Sequence, residues 1–351
     1  WSQSVHKGAD ASRRIHIHID REVMGAVLVT GGAGYIGSHV TKALLGAGRD
    51  VVVLDSLVVG HREAVCGEPL VEADIADTET VRQTIRKFGV TSVMHLAAFL
   101  SVGESVLYPE RYYLNNVTKT IALIKALVSE SVECLIFSST AAVYGESEGI
   151  PIAEDHLTRP SNAYGETKLA IERALPHYET AYGLRSICLR YFNAAGADED
   201  GEIGEDHDPE EHLIPRALAA ASGGVPLVVF GEDYETEDGT CRRDYVHVSD
   251  LAAAHILALA ALEEGKPSAI YNLANGHSFS VREVITAVER VTGTRVPHEY
   301  GPRRSGDPAV LSASSKRARA ELGWNPVYRD LDAIVKSAWH WHRSHPKGYG
   351  E

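Results

Sequence analysis

A short strand that runs into a glycine-rich turn and then a helix constrains this chain more than any other feature. Residues 26–30 (AVLVT) form a β-branched apolar run. Thr30-Gly31-Gly32-Ala33-Gly34-Tyr35-Ile36-Gly37 follows, and 39–48 (HVTKALLGAG) has helical spacing. Glycines at such a turn let the backbone approach a pyrophosphate, which then rests on the positive end of the helix. The next strand, 51–55 (VVVLD), ends in Asp55, roughly 20 residues on. A carboxylate there accepts from ribose hydroxyls and repels a 2′-phosphate, so the pattern predicts NAD rather than NADP. Gly31, Gly34, Tyr35, Ile36, Gly37 and Asp55 are its expected contacts.

The same alternation continues. Residues 79–89 (ETVRQTIRKFG) have helical spacing, 92–98 (SVMHLAA) reads as a strand, 116–130 (NVTKTIALIKALVSE) as a helix and 134–140 (CLIFSST) as a strand. Continuous apolar strands separated by helices predict a parallel sheet covered on both faces. The expected fold is α/β, a Rossmann-type doubly wound parallel sheet with a smaller C-terminal substrate-binding lobe. The NAD-binding domain should span 24–192 and the substrate lobe 193–351, with some segments crossing back. Residues 1–23 carry no apolar signal-peptide core and are expected to be a tag or flexible extension. The acidic segment 196–212 (GADEDGEIGEDHDPEEH) is expected to be a solvated surface loop.

A net charge of -14 argues against a nucleic-acid partner or an anionic membrane surface. No run of 18 or more apolar residues is present, so no membrane-spanning segment is expected. The four cysteines are scattered, with no CxxC pair and no clustered histidine ligands beside them. That pattern predicts a reduced, cytoplasmic protein without a metal site. Cys134 and Cys188 lie in apolar runs and should pack inside strands.

Tyr164-Gly-Glu-Thr-Lys168 carries the chemistry. Residues four apart on a helix share a face, so the phenol and the ammonium project into one space. A nearby positive charge, with NAD+ adding another, favours phenolate and should lower the tyrosine pKa toward the working range, preparing a general base. The pair follows Ser138-Ser139-Thr140 at the end of a strand, where doubly wound sheets place ligands. Thr140 supplies a hydroxyl able to relay the same proton.

The GlyxxGlyxxGly spacing and Tyr164/Lys168 resemble the extended short-chain dehydrogenase/reductase superfamily. Related nucleotide-sugar dehydratases carry Asp and Glu at the strand end, whereas this chain has Ser-Ser-Thr-Ala-Ala at 138–142. Dehydration is thereby disfavoured, leaving redox at C4 of a sugar. From 25 to 350 the chain is similar to the UDP-galactose 4-epimerase family, through VTGGAGYIGSH (29–39), VGES (102–105), YYLNNV (112–117), RYFNAAGA (190–197), GEDYETEDGTCRRDYVHV (231–248), GPRRSGDPA (301–309) and WHWHRSHPKGY (339–349).

The resemblance implies interconversion of UDP-glucose and UDP-galactose through a 4-keto sugar. It implies that Asp74 and Ile75 contact adenine, that Leu96, Ala97 and Ala98 line the cofactor, and that Asn115 meets the nicotinamide ribose. Ser138, Tyr191 and the Phe192 backbone would border the sugar and cofactor. Asn193 would hold the diphosphate, Arg243 and Arg304 would grip its phosphates, and Phe230 and Tyr245 would flank uridine. Asp307 would bind the uridine ribose. Three positions depart from the family pattern. Leu100 replaces a cofactor-contacting lysine. His212, beside Leu213, replaces an asparagine facing the nucleotide. Leu311 replaces the bulky tyrosine that in some members gates the pocket around C2, which keeps N-acetylated sugars open. A homodimer paired through 112–129 and 162–180 is also implied. Other UDP-sugars (N-acetylhexosamine, pentose, uronate), a net nucleotide-sugar oxidoreductase and a silent NAD sensor stay open as alternatives. The intact Thr140, Tyr164 and Lys168 oppose the last.

Overall fold

Five consecutive buried residues make β1 (Ala26–Thr30), and a run with no polar face belongs inside a sheet covered on both sides. β2 (Val51–Asp55) is buried throughout in the same way. β3 (Leu70–Glu72), β4 (Val90–His95), β5 (Cys134–Thr140) and β6 (Arg185–Tyr191) follow. The computed structural model describes residues 25–146, 149–304 and 308–350. Residues 1–23 and Asp307, each given an expectation above, lie outside the described residues.

Beyond β6 the chain adds β7 (Asn193–Ala195), β8 (Leu227–Phe230), β9 (Arg242–His247) and β10 (Ala269–Leu273). β11 (Ser278–Ser280), β12 (His298–Gly301) and β13 (Val310–Leu311) complete the strands used below. The main sheet has seven strands in the order β10-β6-β5-β4-β1-β2-β3. All its pairings are parallel. From β1 the chain winds outward through β2 to β3, then returns to place β4 on the other side of β1. That reversal opens a crevice at the carboxyl ends of β1 and β4, where open α/β sheets bind ligands. The last strand of the sheet, β10, comes from the C-terminal half of the chain, so the chain re-enters the first sheet after leaving it.

Helices cover both faces. Val40 and Leu44 of helix Tyr35–Gly46 pack with Leu251 and Leu259 of helix Val248–Glu263 on one side. On the other, Val81 and Ile85, Leu123 and Leu127, and Ile171 and Leu175 come from helices Thr78–Phe88, Lys119–Ser129 and Ala163–Tyr182. Helix ends are specified locally. Asp77 accepts from the Thr80 amide at 3.1 Å, and Ser280 and Glu283 form a reciprocal capping box, each such cap contributing about 1 kcal/mol.

A second, smaller sheet runs β11-β9-β13, with β7 also paired to β9. A two-stranded piece, β8 with β12, lies beside it. Helices Leu213–Ala221, Val281–Thr292 and Leu331–Ser344 share a core with these strands through Leu218, Val284, Val288 and Ile334.

Several local expectations change. The first helix begins at Tyr35, four residues before its apolar spacing becomes visible, because Gly37 occupies its first turn. The strand expected over 92–98 ends at His95. Leu96 and Ala97 instead turn their amides back onto the Thr30 carbonyl, at 2.9 and 3.0 Å, and become crevice wall. The larger correction concerns 196–212. Gly201, Ile203, Gly204 and Glu205 are buried, and the segment is pinned by Gly204 N donating to Tyr349 Oη at 2.9 Å and Tyr349 N donating to Asp206 Oδ2 at 2.8 Å. Contacts with the distant C-terminus hold this acidic stretch inward, and its composition gives no sign of them.

Cys134 and Cys188 are buried in their strands, and none of the four cysteines is in a disulfide. Among the described residues no helix is long and apolar enough to cross a membrane.

Candidate active site

One cavity of about 1170 Å³ opens over the carboxyl ends of the main sheet and extends to the smaller sheet. Every residue assigned a cofactor, substrate or catalytic role from sequence borders it, apart from Asp307, which lies outside the described residues.

The glycine turn is built for a close-approaching ligand. A Cβ on Gly37 would stand 2.0 Å from the Gly31 carbonyl oxygen, so only glycine lets the first helical turn sit on the loop. Helix Tyr35–Gly46 has no side-chain cap, which leaves its first amides free to bind phosphate oxygens. Asp55 is 8% exposed, and its two oxygens accept from Ala33 N at 3.0 Å and Leu57 N at 2.9 Å. These bonds fix the carboxylate at the rim while leaving lone pairs for ribose hydroxyls. An uncapped helix, a turn without side chains and a fixed carboxylate fit a dinucleotide. Tyr35 reaches across to the other lobe and donates to the Gly196 carbonyl at 2.6 Å.

Asp74 also borders the cavity, and its carboxylate already has partners. It takes the Ala76 amide at 2.9 Å and is ion-paired to Lys119. Burial would raise its pKa, but Lys119 and the amide hold it below the usual carboxylate range. Lys119 was not singled out from sequence, because the pairing spans 45 residues. Asn116, also unanticipated, clamps Phe99 by accepting from its amide and donating to its carbonyl, both at 2.9 Å. It lies in a π-helical turn over Tyr113–Thr118, and that turn also presents Asn115 to the cavity. Leu100 lines the cavity and is 42% exposed.

The catalytic candidates meet at the end of β5. Asn162 caps helix Ala163–Tyr182 through the Gly165 amide at 2.9 Å, which sets Tyr164 in the first turn and Lys168 one turn on. A Cβ on Gly165 would meet the Ala142 carbonyl at 2.5 Å, so glycine lets this helix press against the strand end. Tyr164 and Thr140 both border the cavity there. Lys168, 3% exposed, donates to the Ser138 carbonyl at 2.8 Å. Ser138 in turn bonds the Tyr191 hydroxyl. Behind them Glu172 and Arg190 form a buried ion pair that also holds Ser139.

The electrostatics differ from the sequence expectation. Burial raises the Tyr164 pKa above its ordinary value, and the Thr140 hydroxyl opposes the rise without cancelling it. Burial pushes Lys168 down to about 7, against the opposing charge of Glu172. Burial governs both shifts, raising the phenol and lowering the ammonium in the same dry pocket.

On the far wall the groups are long side chains. Arg304 stacks on the Phe230 ring, 4.1 Å from its centroid. Arg243 donates to the carbonyls of Arg242 and Pro308 at 2.7 and 2.9 Å, which ties β9 to the chain entering β13. Asn193 donates to the Asp244 carbonyl at 3.1 Å, and β7 pairs Asn193 with Tyr245. Leu311 pairs with Arg243 in register and packs against the cluster containing Tyr144 and Phe192. His212 and Leu213 line the cavity, and the His212 ring turns its Nδ1 to Glu210 at 3.0 Å.

The chain matches the NAD dependent epimerase/dehydratase family over residues 27–274. It is 52% identical over 325 residues to a UDP-glucose 4-epimerase from Halalkalibacterium halodurans, covering 92% of this chain and 97% of that one. A UDP-glucose 4-epimerase from Brucella ovis, solved in complex with NAD, has a TM-score of 0.88 at 48% identity, covering 90% of this chain and 98% of that one. The enzyme from Bifidobacterium longum, solved with NAD+ and UDP, has a TM-score of 0.86 at 36% identity, covering 92% and 99%.

Proposed function

Because this chain belongs to the NAD-dependent epimerase/dehydratase family, we propose that it is an NAD-dependent 4-epimerase interconverting UDP-glucose and UDP-galactose through a transient 4-keto sugar. One observation carries the reading. A single cavity joins the glycine turn, the Thr140–Tyr164–Lys168 cluster and the arginine-bearing lobe.

When bound, NAD supplies the hydride acceptor and donor at C4, and its positive ring favours the phenolate that the protein alone does not. Tyr164 takes the O4 proton, with Thr140 binding the same oxygen and relaying it. Lys168, fixed by the Ser138 carbonyl, orients the helix face that carries the phenol. Asp55 holds the adenosine ribose, Asp74 and Ile75 border adenine, and Asn115 meets the nicotinamide ribose. Leu96, Ala97, Ala98, Ser138 and Tyr191 line the cofactor. On the substrate side Arg304 and Arg243 meet the diphosphate with Asn193, because guanidinium groups match phosphate oxygens. Phe230 and Tyr245 flank uridine, Asp307 its ribose, and His212 with Leu213 completes that wall. Firm purchase on UDP and little on the hexose lets the 4-keto sugar turn its other face before the proton returns.

Leu311 supports a second substrate class. A leucine leaves more room around C2 than a tyrosine would, so UDP-N-acetylgalactosamine is also accepted. The enzyme works in the cytoplasm, supported by four cysteines that form no disulfide, and as a homodimer paired through the 112–129 and 162–180 segments. Leu114 and Tyr182, 61% and 64% exposed, lie at the ends of these helices and support that pairing.

The test is incubation with UDP-galactose, UDP-N-acetylgalactosamine, UDP-arabinose and UDP-galacturonate without added cofactor. UDP-glucose formed from UDP-galactose is the expected product. Failure to form it, or release of one NADH per sugar consumed, overturns the reading.

A further inference from the structure

The inward-folded segment that begins the second half of the chain brings together four side chains that the epimerase chemistry does not use as a group. Glu205, His207, Glu210 and His212 each offer one donor atom, and all four lie within 4.8 Å of one another. His212 Nδ1 is 2.8 Å from Glu205 Oε1 and 3.0 Å from Glu210 Oε1. His207 Nδ1 is 3.5 Å from Glu205 Oε1 and 3.5 Å from Glu210 Oε2. Four nitrogen and oxygen ligands held about 2.0 Å from a tetrahedral zinc ion stand about 3.3 Å apart. The observed spacings straddle that value.

A second observation concerns satisfaction. Glu205 is 9% exposed, and its Oε1 is shut off from solvent with no hydrogen-bond partner among the described residues. His207 Nδ1 is in the same position. The single Nδ1 hydrogen of His212 is directed to Glu210, so its 2.8 Å approach to Glu205 provides no second hydrogen bond. A buried carboxylate oxygen and an imidazole nitrogen left this way are costly unless something else binds them. A dication bound by all four would satisfy both atoms and neutralise the two carboxylates.

We propose that Glu205, His207, Glu210 and His212 form a structural site for a four-coordinate divalent transition metal, with zinc as the fitting ion. Imidazole together with carboxylate suits zinc, whereas magnesium and calcium prefer oxygen ligands alone. Four protein ligands leave no open position, which marks the site as a clamp rather than a reaction centre. Its place explains the use. His207 packs edge-on to Tyr35, at 6.3 Å between ring centres, and Tyr35 is the first residue of the helix after the glycine turn. Leu213, directly after His212, begins the helix on the opposite wall. One ion therefore fixes the connection that spans the mouth of the cavity. Spacings of one and two residues in an irregular segment bring these ligands together only once it is packed, so the sequence pattern does not single them out.

The test uses the full chain purified without a metal-affinity step. The chain also carries His6, His16 and His18 near its start, so a His6→Gln/His16→Gln/His18→Gln form runs in parallel. After chelator dialysis both are equilibrated with zinc, and bound metal is measured by mass spectrometry. Cobalt loading reports coordination through its visible spectrum. About one ion per chain is expected in both forms, with the intense absorption of four-coordinate cobalt. His207→Gln and Glu205→Gln should each lose it. Fewer than about one ion in ten chains for the triple variant, or the weak spectrum of hydrated cobalt, overturns the site. Metal retained in both His207→Gln and Glu205→Gln overturns it equally. Circular dichroism checks that those two variants fold, and if they do not, the triple variant alone decides.

Discussion

The cofactor wall of the cavity is made largely of backbone, set by a glycine turn, an uncapped helix and strand ends in an all-parallel sheet. The opposite wall is made of long side chains, Arg243, Arg304, Phe230 and Tyr245, presented by β8, β9 and the chain leading into β13. The first wall fixes a ligand rigidly, because a Cβ at Gly37 has no room beside the Gly31 carbonyl. The second grips through groups whose own partners are carbonyls and rings, such as Arg243 on Pro308 and Arg304 on Phe230. An enzyme that must hold its cofactor through many turnovers, and turn a sugar over within each one, needs this asymmetry.

The comparison makes separable predictions. On the proposed reading Tyr164→Phe removes the group that moves the proton. Although Tyr164 and Lys168 are also expected to contact the cofactor, the glycine turn, Asp55 and the arginines stay in place. Its kcat should fall at least about a hundredfold with NAD still bound, read by turnover of UDP-galactose and by cofactor content. Near-normal turnover would break the assignment of Tyr164. Gly37→Ala should weaken cofactor retention by about 1–3 kcal/mol, roughly tenfold to a hundredfold, while UDP affinity changes little. Arg304→Ala should do the reverse, raising KM for UDP-galactose roughly tenfold with kcat nearly unchanged. If Arg304→Ala also released NAD, the two walls would not be independent. Leu311→Tyr should lower kcat/KM for UDP-N-acetylgalactosamine more than for UDP-galactose, and a preference for UDP-galactose above about a thousandfold in the unaltered enzyme would contradict that reading.

A further prediction concerns pH. The folded pKa of Lys168 lies at about 7, below its unfolded value of 10.5, so between these limits the unfolded chain binds more protons. Stability of the cofactor-free protein should therefore gain from this group as pH rises through that window. The slope of urea midpoint against pH should be shallower in Lys168→Met, and an unchanged slope would contradict the depressed value.

The same asymmetry governs what was legible in the sequence. The cofactor half was readable because its signals are local. Strand, glycine turn, helix and Asp55 lie within 30 residues, and Tyr164 and Lys168 are one helical turn apart. Even there, helix and strand limits shifted where the tertiary approach of Gly37 or the Thr30 carbonyl decided them. What depends on burial was not readable. The directions of the Tyr164 and Lys168 shifts, the Asp74–Lys119 pair and the inward folding of 196–212 arise from contacts between distant segments. For the nucleotide wall, residue types alone pointed nowhere, and family resemblance carried the assignments.

The central claim is that C4 is inverted by hydride leaving and returning to the same carbon, with Tyr164 handling only an oxygen-bound proton. No carboxylate stands at 138–142 to remove a proton from carbon, and nearby Glu172 is committed to Arg190 and Ser139. The most direct measurement is epimerisation of UDP-galactose to equilibrium in deuterium oxide, followed by NMR of the sugar carbons. UDP-glucose with no deuterium at C4 or C5 is the expected product. Deuterium at either carbon would contradict it.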